Sequence, residues 1–350
     1  MAMLRVYLPL ALLLCFLDAC HHETPGEAIA RYSAAIRQDS SDAGARYHRG
    51  LAYLALGNSL AAAVDFEAAI HLRPDFAEAH YQRGLFYAPS SNDWFAARAE
   101  YDTALRLNPG FAEVYVARAA IRGWNGVPAN NDSILEDIRK ALGLNPRLAT
   151  AYVLRGDFKF FLLRQVDSAL ADYATAIRLA PGDPQAYERR ADLYKSSIHK
   201  SPDYDRAIAD YGEAIRLAPD SGDYHRGRGH AYFLRGRTHG DTNDFRRAVR
   251  DFTAALAIDT SVWSPQSLPY RYRGLAHVEL GELDLAIADF TNSLQESFPE
   301  EATYLDRGLA YVRRGDRTRA RADFRKIVAL HDDTLLTRAA REQLRRLGAP

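Results

Sequence analysis

One pattern constrains this chain more than any other. Between residues 43 and 76, Gly50, Tyr53, Gly57, Ala62, Phe66, Ala69 and Pro74 fall at offsets 8, 11, 15, 20, 24, 27 and 32 of a 34-residue unit. The pattern returns in seven further units, which start near 77, 112, 149, 184, 222, 267 and 301. A period of this length marks a repeat architecture, in which one supersecondary element cannot bury its apolar face alone and must stack on its neighbours. The second half of each unit, ADYATAI near 173 or ADFTNSL near 290, places apolar residues at the i, i+3, i+4, i+7 spacing of an amphipathic helix. Small residues at offsets 8, 20 and 27 allow two helices to approach closely, and aromatic residues at 11 and 24 fill the space beside them. Proline at 32 stops the second helix. A chain of 350 residues would otherwise be read as two or three domains. The period replaces that reading with one core running along a stack.

These residues resemble the tetratricopeptide repeat (TPR) family, whose unit is a pair of antiparallel helices. The resemblance implies an all-α fold, an α-solenoid wound as a right-handed superhelix, of about eight helix-turn-helix units over residues 43–333. Ala28, Tyr32 and Ala35 take offsets 20, 24 and 27, so 27–42 reads as a second helix without its first. Leu336, Ala340, Leu344 and Leu347 form one apolar stripe, which makes 334–350 a capping helix. Asp75-x-x-Glu78 and Ser133-x-x-Glu136 have the form of capping boxes. Three units have lengthened inter-helix turns, Gly123–Asn131, Ser196–Pro202 and Arg235–Asn243, all at the same place in the unit. They are either a binding edge or tolerated slack. Residues 260–269, with two prolines and three serines around Trp263, are a hinge or a longer loop. Trp124 in the first long turn is a candidate contact, whereas Trp94 and Phe95 start a second helix.

Every unit also carries arginine at offset 7 and an acid just before the offset-24 residue. The pairs are Arg49/Asp65, Arg83/Glu100, Arg118/Asp137, Arg155/Asp172, Arg190/Asp210, Arg228/Asp251, Arg273/Asp289 and Arg307/Asp323. An arginine fork matches a carboxylate in two places. The pairs therefore read as structural bridges between the two helices of a unit rather than as a ladder of anion sites.

The N-terminus has a different character. Arg5 precedes an uncharged apolar run from Val6 to Leu17, shorter than the roughly 20 residues a bilayer span needs and suited to a secretory signal. Leu17-Asp18-Ala19-Cys20 resembles the lipobox of bacterial lipoproteins, with Asp18 departing from the usual small or apolar residue. The resemblance implies a signal peptide over 1–19, lipid attachment (palmitate among the acyl groups) at Cys20, and a tether over 20–26. Several acyl chains anchor stably where one does not. His21 after the cysteine points to the outer membrane, with the body in the periplasm. An ordinary cleaved signal or an uncleaved anchor is the alternative.

Composition narrows the function. Forty-five basic and 45 acidic residues leave no net charge, which argues against a nucleic-acid partner. The two cysteines, Cys15 and Cys20, both precede the repeats, so the body has neither disulfides nor a thiol nucleophile. No catalytic motif is present, and His21 with His22 offers two ligands only. The chain therefore reads as a non-enzyme with no cofactor and no metal site.

In the family, partners bind mainly on the concave face, at first-helix offsets 2, 5, 9 and 12. The resemblance places Tyr47, Tyr81, Asp157, Phe160, Glu188, Asp192, Arg226, His230, Phe233, Arg271, Leu305, Leu309 and Val312 there, with Lys195 beside them. The lysine–asparagine clamp of chaperone-type TPRs is absent. The expected function is a membrane-anchored scaffold or adaptor for protein–protein interaction in the bacterial envelope, its partners being envelope-assembly components. The alternative is a sensing module that takes a peptide or glycan in the charged middle of the groove.

Overall fold

The computed structural model describes residues 23–88, 93–124, 131–196, 201–258, 267–296, 302–330 and 334–348. Residues 1–22, and with them the proposed signal peptide and Cys20, lie outside this set, as do 125–130, 197–200 and 259–266 in two long turns and the hinge candidate. Among the described residues all regular structure is helical. The elements are α1 (Pro25–Gln38), α2 (Ala43–Ala55), α3 (Ser59–Leu72), α4 (Ala77–Tyr87), α5 (Trp94–Leu107), α6 (Ala112–Trp124), α7 (Asn131–Leu144), α8 (Ala149–Phe161), α9 (Val166–Leu179), α10 (Pro184–Lys195), α11 (Tyr204–Leu217), α12 (Gly222–His239), α13 (Thr242–Ile258), α14 (Ser267–Glu279), α15 (Leu283–Gln295), α16 (Ala302–Arg314), α17 (Arg317–Leu330) and α18 (Leu335–Arg346). Each first helix pairs with the helix after it, which is the α-solenoid arrangement. None of these helices is long and apolar enough to cross a membrane.

The chain divides into two compact units, at Ala186 and Tyr187. In the first, the offset-8 glycine and the offset-24 aromatic set the distance between paired helices. A Cβ on Gly50 would lie 2.6 Å from Phe66 Cε1, so α2 and α3 approach at a spacing that only glycine permits. Ala62 and Ala69 are fully buried on either side of Phe66. Ala43, Ile70, Phe76 and Ala79 join them across to the next pair. Tyr81, Tyr101, Val114, Tyr115 and Ile121 continue the core along the unit. In the second unit Phe233, Phe245, Phe252 and Ala276 form one cluster. Phe290, Phe324, Ile327, Ala340 and Leu344 form another, on which Leu336 and Leu347 of the last helix and its end also pack.

Turns and caps follow local chemistry. Gly57, Gly281 and Gly315 have φ of 74°, 79° and 91° in the turn between paired helices, the left-handed region that glycine enters at little cost. Arg164 enters it too, at 57°, in the α8–α9 turn. Two expected capping boxes do not form. The N-cap of α4 is Phe76, which has no side-chain oxygen to cap with; its ring is buried with the Arg73 guanidinium 3.3 Å from its centroid. Ser133 lies inside α7, which begins at Asn131. A capping box forms instead at Thr24 and Glu27, so α1 begins at Pro25, two residues before the expected start. The third long turn is also different: α12 continues through Arg235 to His239 and ends at Gly240, φ 72°. Arg235 holds that extra turn, with Nε and Nη2 each 2.7 Å from the Asp244 carboxylate at the start of α13.

Candidate partner-binding site

All eight arginine–acid pairs are in contact. The shortest ion-pair distance is 2.6–2.8 Å in every unit, from Arg49–Asp65 to Arg307–Asp323. Seven are two-pronged, Nε and Nη2 donating to the two oxygens of one aspartate. The exception is Arg83, whose acid is the longer Glu100. That carboxylate also meets His80 Nδ1 at 2.7 Å, and Arg83 Nε is buried without a partner. Asp65, Asp172, Asp210, Asp289 and Asp323 are all buried, while Arg49, Arg155, Arg190, Arg273 and Arg307 keep an edge in solvent. The carboxylates are consumed in holding helices together, and only the arginine edges face solvent. Hydrogen bonding to Asp65, Asp172 and Asp210 raises the pKa of Arg49, Arg155 and Arg190 further.

Several of these bridges differ from the expected two-residue form, as Asp137 does by also accepting from Arg122 Nη1 at 2.6 Å. Asp289 accepts from Arg273 Nε at 2.9 Å and Nη2 at 2.7 Å, but His277 Nε2 also lies 3.8 Å from its Oδ2. The other ring nitrogen of His277 meets Glu282 at 2.6 Å. Asp289 is therefore the buried end of a chain of polar groups, because His277 stands one helical turn after Arg273 on the same face of α14. Asp172 likewise takes Lys159 at 2.7 Å beside Arg155, and Lys159 again follows its arginine by four residues.

The expected groove residues separate into two sets. Tyr81, Asp157, Phe160 and Phe233 belong to the interior, at 7%, 5%, 7% and 3% exposure. Tyr81 packs on Tyr101 and Phe111, Phe160 on Phe161 and Phe233 on Phe245 and Tyr272. Asp157 accepts a 2.7 Å hydrogen bond from the buried Tyr173 hydroxyl. Each fills the joint between helices instead of offering a surface. Tyr47 is half-buried between Phe66 and Phe76, and burial, helped by the Glu78 charge, pushes its hydroxyl up to about 12. Of the C-terminal apolar row, Leu305 and Val312 lean on the Phe290/Phe324 cluster and Leu309 is 37% exposed.

The charged residues of the second unit do come together. Asp192 accepts from the Tyr211 hydroxyl at 2.5 Å. Lys195 Nζ reaches the same hydroxyl at 2.8 Å and Asp192 at 2.9 Å. Burial works to raise Asp192, but Lys195 and the Tyr211 bond outweigh it and hold the carboxyl below its ordinary range. Arg226 pairs with Asp223 at 2.5 Å, and Arg271 reaches Asp306 at 2.7 Å. His230 lies 4.5 Å from the Tyr272 ring. Burial first, then the Lys195 and Arg226 charges, push His230 down to about 3 against the pull of Asp192. Glu188, half-buried on α10, has no hydrogen-bond partner among the described residues. Burial, the carboxylates of Asp192 and Asp223 adding to it, lifts it to about 7. The row from Glu188 to Arg271 is thus a set of half-buried charges, mostly paired, with one open carboxyl. Among the described residues no group of three metal-ligating side chains forms.

Two devices escaped the sequence reading. The spare Nη1 of the ladder arginines reaches back to the preceding second helix: Arg49 to Ser33 at 3.1 Å, Arg118 to Asp102 at 2.7 Å, Arg273 to Thr253 and Arg307 to Thr291 at 3.0 Å. The signal was a hydroxyl or acid one residue after the offset-24 position. In units four and five, aspartate at offset 9 (Asp157, Asp192) accompanies tyrosine at offset 24 (Tyr173, Tyr211), which supplies its donor.

Comparison with known proteins agrees with this geometry. Models described as TPR repeat or tetratricopeptide repeat match residues 26–57, 43–76, 201–239, 233–302 and 302–334. The tetratricopeptide repeat and J domain-containing co-chaperone DNJ1 of Fusarium oxysporum f. sp. lycopersici is 38% identical over 73 residues, 21% of this chain. The chain spans only 14% of that relative's length. Among solved structures, the human IFIT1 dimer with m7Gppp-AAAA is similar with a TM-score of 0.62 at 16% identity, over 87% of this chain and 77% of that one. Yeast Tom70 is similar with a TM-score of 0.53 at 18% identity, over 84% of this chain and 60% of that one. At these identities the likeness is one of fold. None of these matches is to a catalytic family. The chain carries tetratricopeptide repeats and folds as an α-solenoid, an architecture that generally mediates protein–protein interaction.

Proposed function

We propose that this protein is a non-enzymatic adaptor of the bacterial envelope, lipid-anchored through Cys20, which holds protein partners on the first-helix row of its second unit. The observation that carries the binding role is the run of half-buried polar side chains at Glu188, Asp192, Arg226, His230 and Arg271, in which the Glu188 carboxyl has no hydrogen-bond partner among the described residues. Leu17 to Cys20 supports the anchor. Photo-crosslinking groups placed at Glu188 and Arg226 in intact envelopes test the role, with exposed Glu213 on α11 as the reference. Discrete protein adducts at the first two sites and not at Glu213 support the adaptor. A Cys20→Ser variant that fractionates like the wild type overturns the anchor.

Glu188 also favours a second reading, a module that takes a peptide or glycan. An open, half-buried carboxyl is a place for a ligand's hydrogen-bond donor. No protein adducts, together with a thermal shift on adding peptides or wall fragments, select this reading over the first.

A further inference from the structure

In the first unit, packed neighbours joined by short turns run antiparallel. The α2–α3, α4–α5 and α8–α9 turns therefore lie at one end of the helices, and the α3–α4, α5–α6 and α7–α8 turns at the other. The second end is the more polar: its turns are Arg73-Pro74-Asp75, Asn108-Pro109-Gly110 and Asn145-Pro146-Arg147, with Leu72 and Leu144 exposed beside the first and third at 39% and 48%. The first end is the more apolar. Leu56 and Leu60 are exposed at its first turn, Phe86 and Phe95 at its second, and Phe161, Leu162 and Leu163 at its third, with exposures from 37% to 74%. Of the counterpart turns of the second unit, α12–α13 carries Arg237, Thr238 and His239 and α16–α17 carries Arg314, Gly315 and Asp316, while α14–α15 has Leu285 exposed beside it at 54%.

The chain also enters at the apolar end. The α1 helix packs on α2 as a second helix does, joined to it through residues 39–42. Its first residue, Pro25, is therefore at the end where α2 stops and α3 starts. Pro25 is the fifth residue after Cys20, a reach of about 18 Å at most when extended.

We propose that this edge of the first unit lies against the lipid bilayer, with Leu60, Phe95 and Leu163 entering its interfacial layer. The inference rests on the proposed acyl anchor at Cys20, which would bring a bilayer within one short tether of these side chains. Apolar exposure on this scale marks a contact surface, and leucine and aromatic side chains suit the boundary between headgroups and acyl chains. Arg164 shares this end with Asp93 and Asp167, so the contact is apolar in character and holds as salt is raised.

The test uses the full-length lipoprotein purified from membranes and reconstituted in phosphatidylethanolamine/phosphatidylglycerol vesicles. Single cysteines at Leu60→Cys, Phe95→Cys and Leu163→Cys carry an environment-sensitive dye, with Arg147→Cys as the opposite-end reference. Quenching by spin-labelled lipid is expected to be several-fold stronger at the first three sites, unchanged by salt, and lost there in a Leu56→Glu/Leu162→Glu background that keeps its helical content. Equal quenching at both ends, or none at either in a protein whose mass shows the acyl groups, overturns the edge contact alone. Protection of these sites by a co-purifying protein without quenching also overturns it and makes the edge a protein interface. A mass without acyl groups, with Cys20 open to the dye, overturns the anchor and the edge contact together.

Discussion

Arg49 holds Asp65 with two parallel hydrogen bonds of 2.7 Å, Nε to one carboxylate oxygen and Nη2 to the other. Asp65 is buried and Arg49 keeps 20% of its side chain exposed. Replacing one partner leaves the other charge desolvated. Asp65→Ala is expected to cost about 3–5 kcal/mol in urea unfolding. Arg49→Met with Asp65→Leu, which removes both charges together, is expected to cost far less. Equal losses in the single and double variants would show that packing, not the charge pair, is what the site supplies.

Gly50 and Phe66 define the closest approach of α2 to α3. With a Cβ 2.6 Å from the ring, Gly50→Ala forces the helices apart or the ring off its rotamer, and about 1–3 kcal/mol of destabilisation is expected. Phe66→Leu in the same chain should return part of that loss by removing the ring edge. Calorimetric melting of the two variants and their combination provides the check.

Glu188 makes stability depend on pH. Its folded value of about 7 stands above the ordinary 4.5, so between these values the folded chain keeps a proton that the unfolded chain has released. The contribution is fully present below the unfolded value and is lost as pH rises through about 7. Glu188→Gln should therefore melt higher than the wild type above that pH and match it in acid. A difference that stays constant across the range would sink the assignment.

His230 acts at the other end of the scale. Held neutral down to about 3 instead of 6.5, it supports the fold above the unfolded value, and that support drains away as pH falls towards 3. His230→Phe preserves an aromatic contact with Tyr272 and should flatten the acid limb of a melting-temperature profile. NMR titration of the imidazole gives an independent reading.

How much of this was legible follows from what kind of regularity each feature has. The helix starts at Ala43, Ala77, Ala149 and Gly222 were readable because the glycine, aromatic and proline offsets repeat, and repetition averages out local noise. The ladder was readable for the same reason. Features outside the period were harder. Phe76, not Asp75, is the N-cap of α4, and Arg73 stacks on its ring, a contact between residues that the capping pattern ignores. Asp289 was expected to face Arg273 alone, and a basic residue four after the ladder arginine joins the bridge in only some repeats, as His277, Lys159 and Arg122 do. Arg235 looked like the opening of a loop, yet its bond to Asp244 extends α12. The groove was the least legible part. The same offset is interior at Tyr81, which packs on Tyr101 and Phe111, and half-open at Arg226, which pairs with Asp223.

The backward reach of the ladder arginines sets how neighbouring repeats fail together. Ser33, Asp102, Thr253 and Thr291 each offer an acceptor to the next repeat's arginine. The equivalent place before Arg155 is Arg139, which turns instead to Glu136 at 2.6 Å. Treated as a row of coupled spins, the stack has unequal couplings: Ala174 before Arg190 and Gly212 before Arg228 likewise have no acceptor side chain to offer, and Glu67 makes no such bond to Arg83 among the described residues. Pulled or heated, such a row parts first at its weakest coupling, so a single side chain per repeat fixes how far a local opening spreads before it stops.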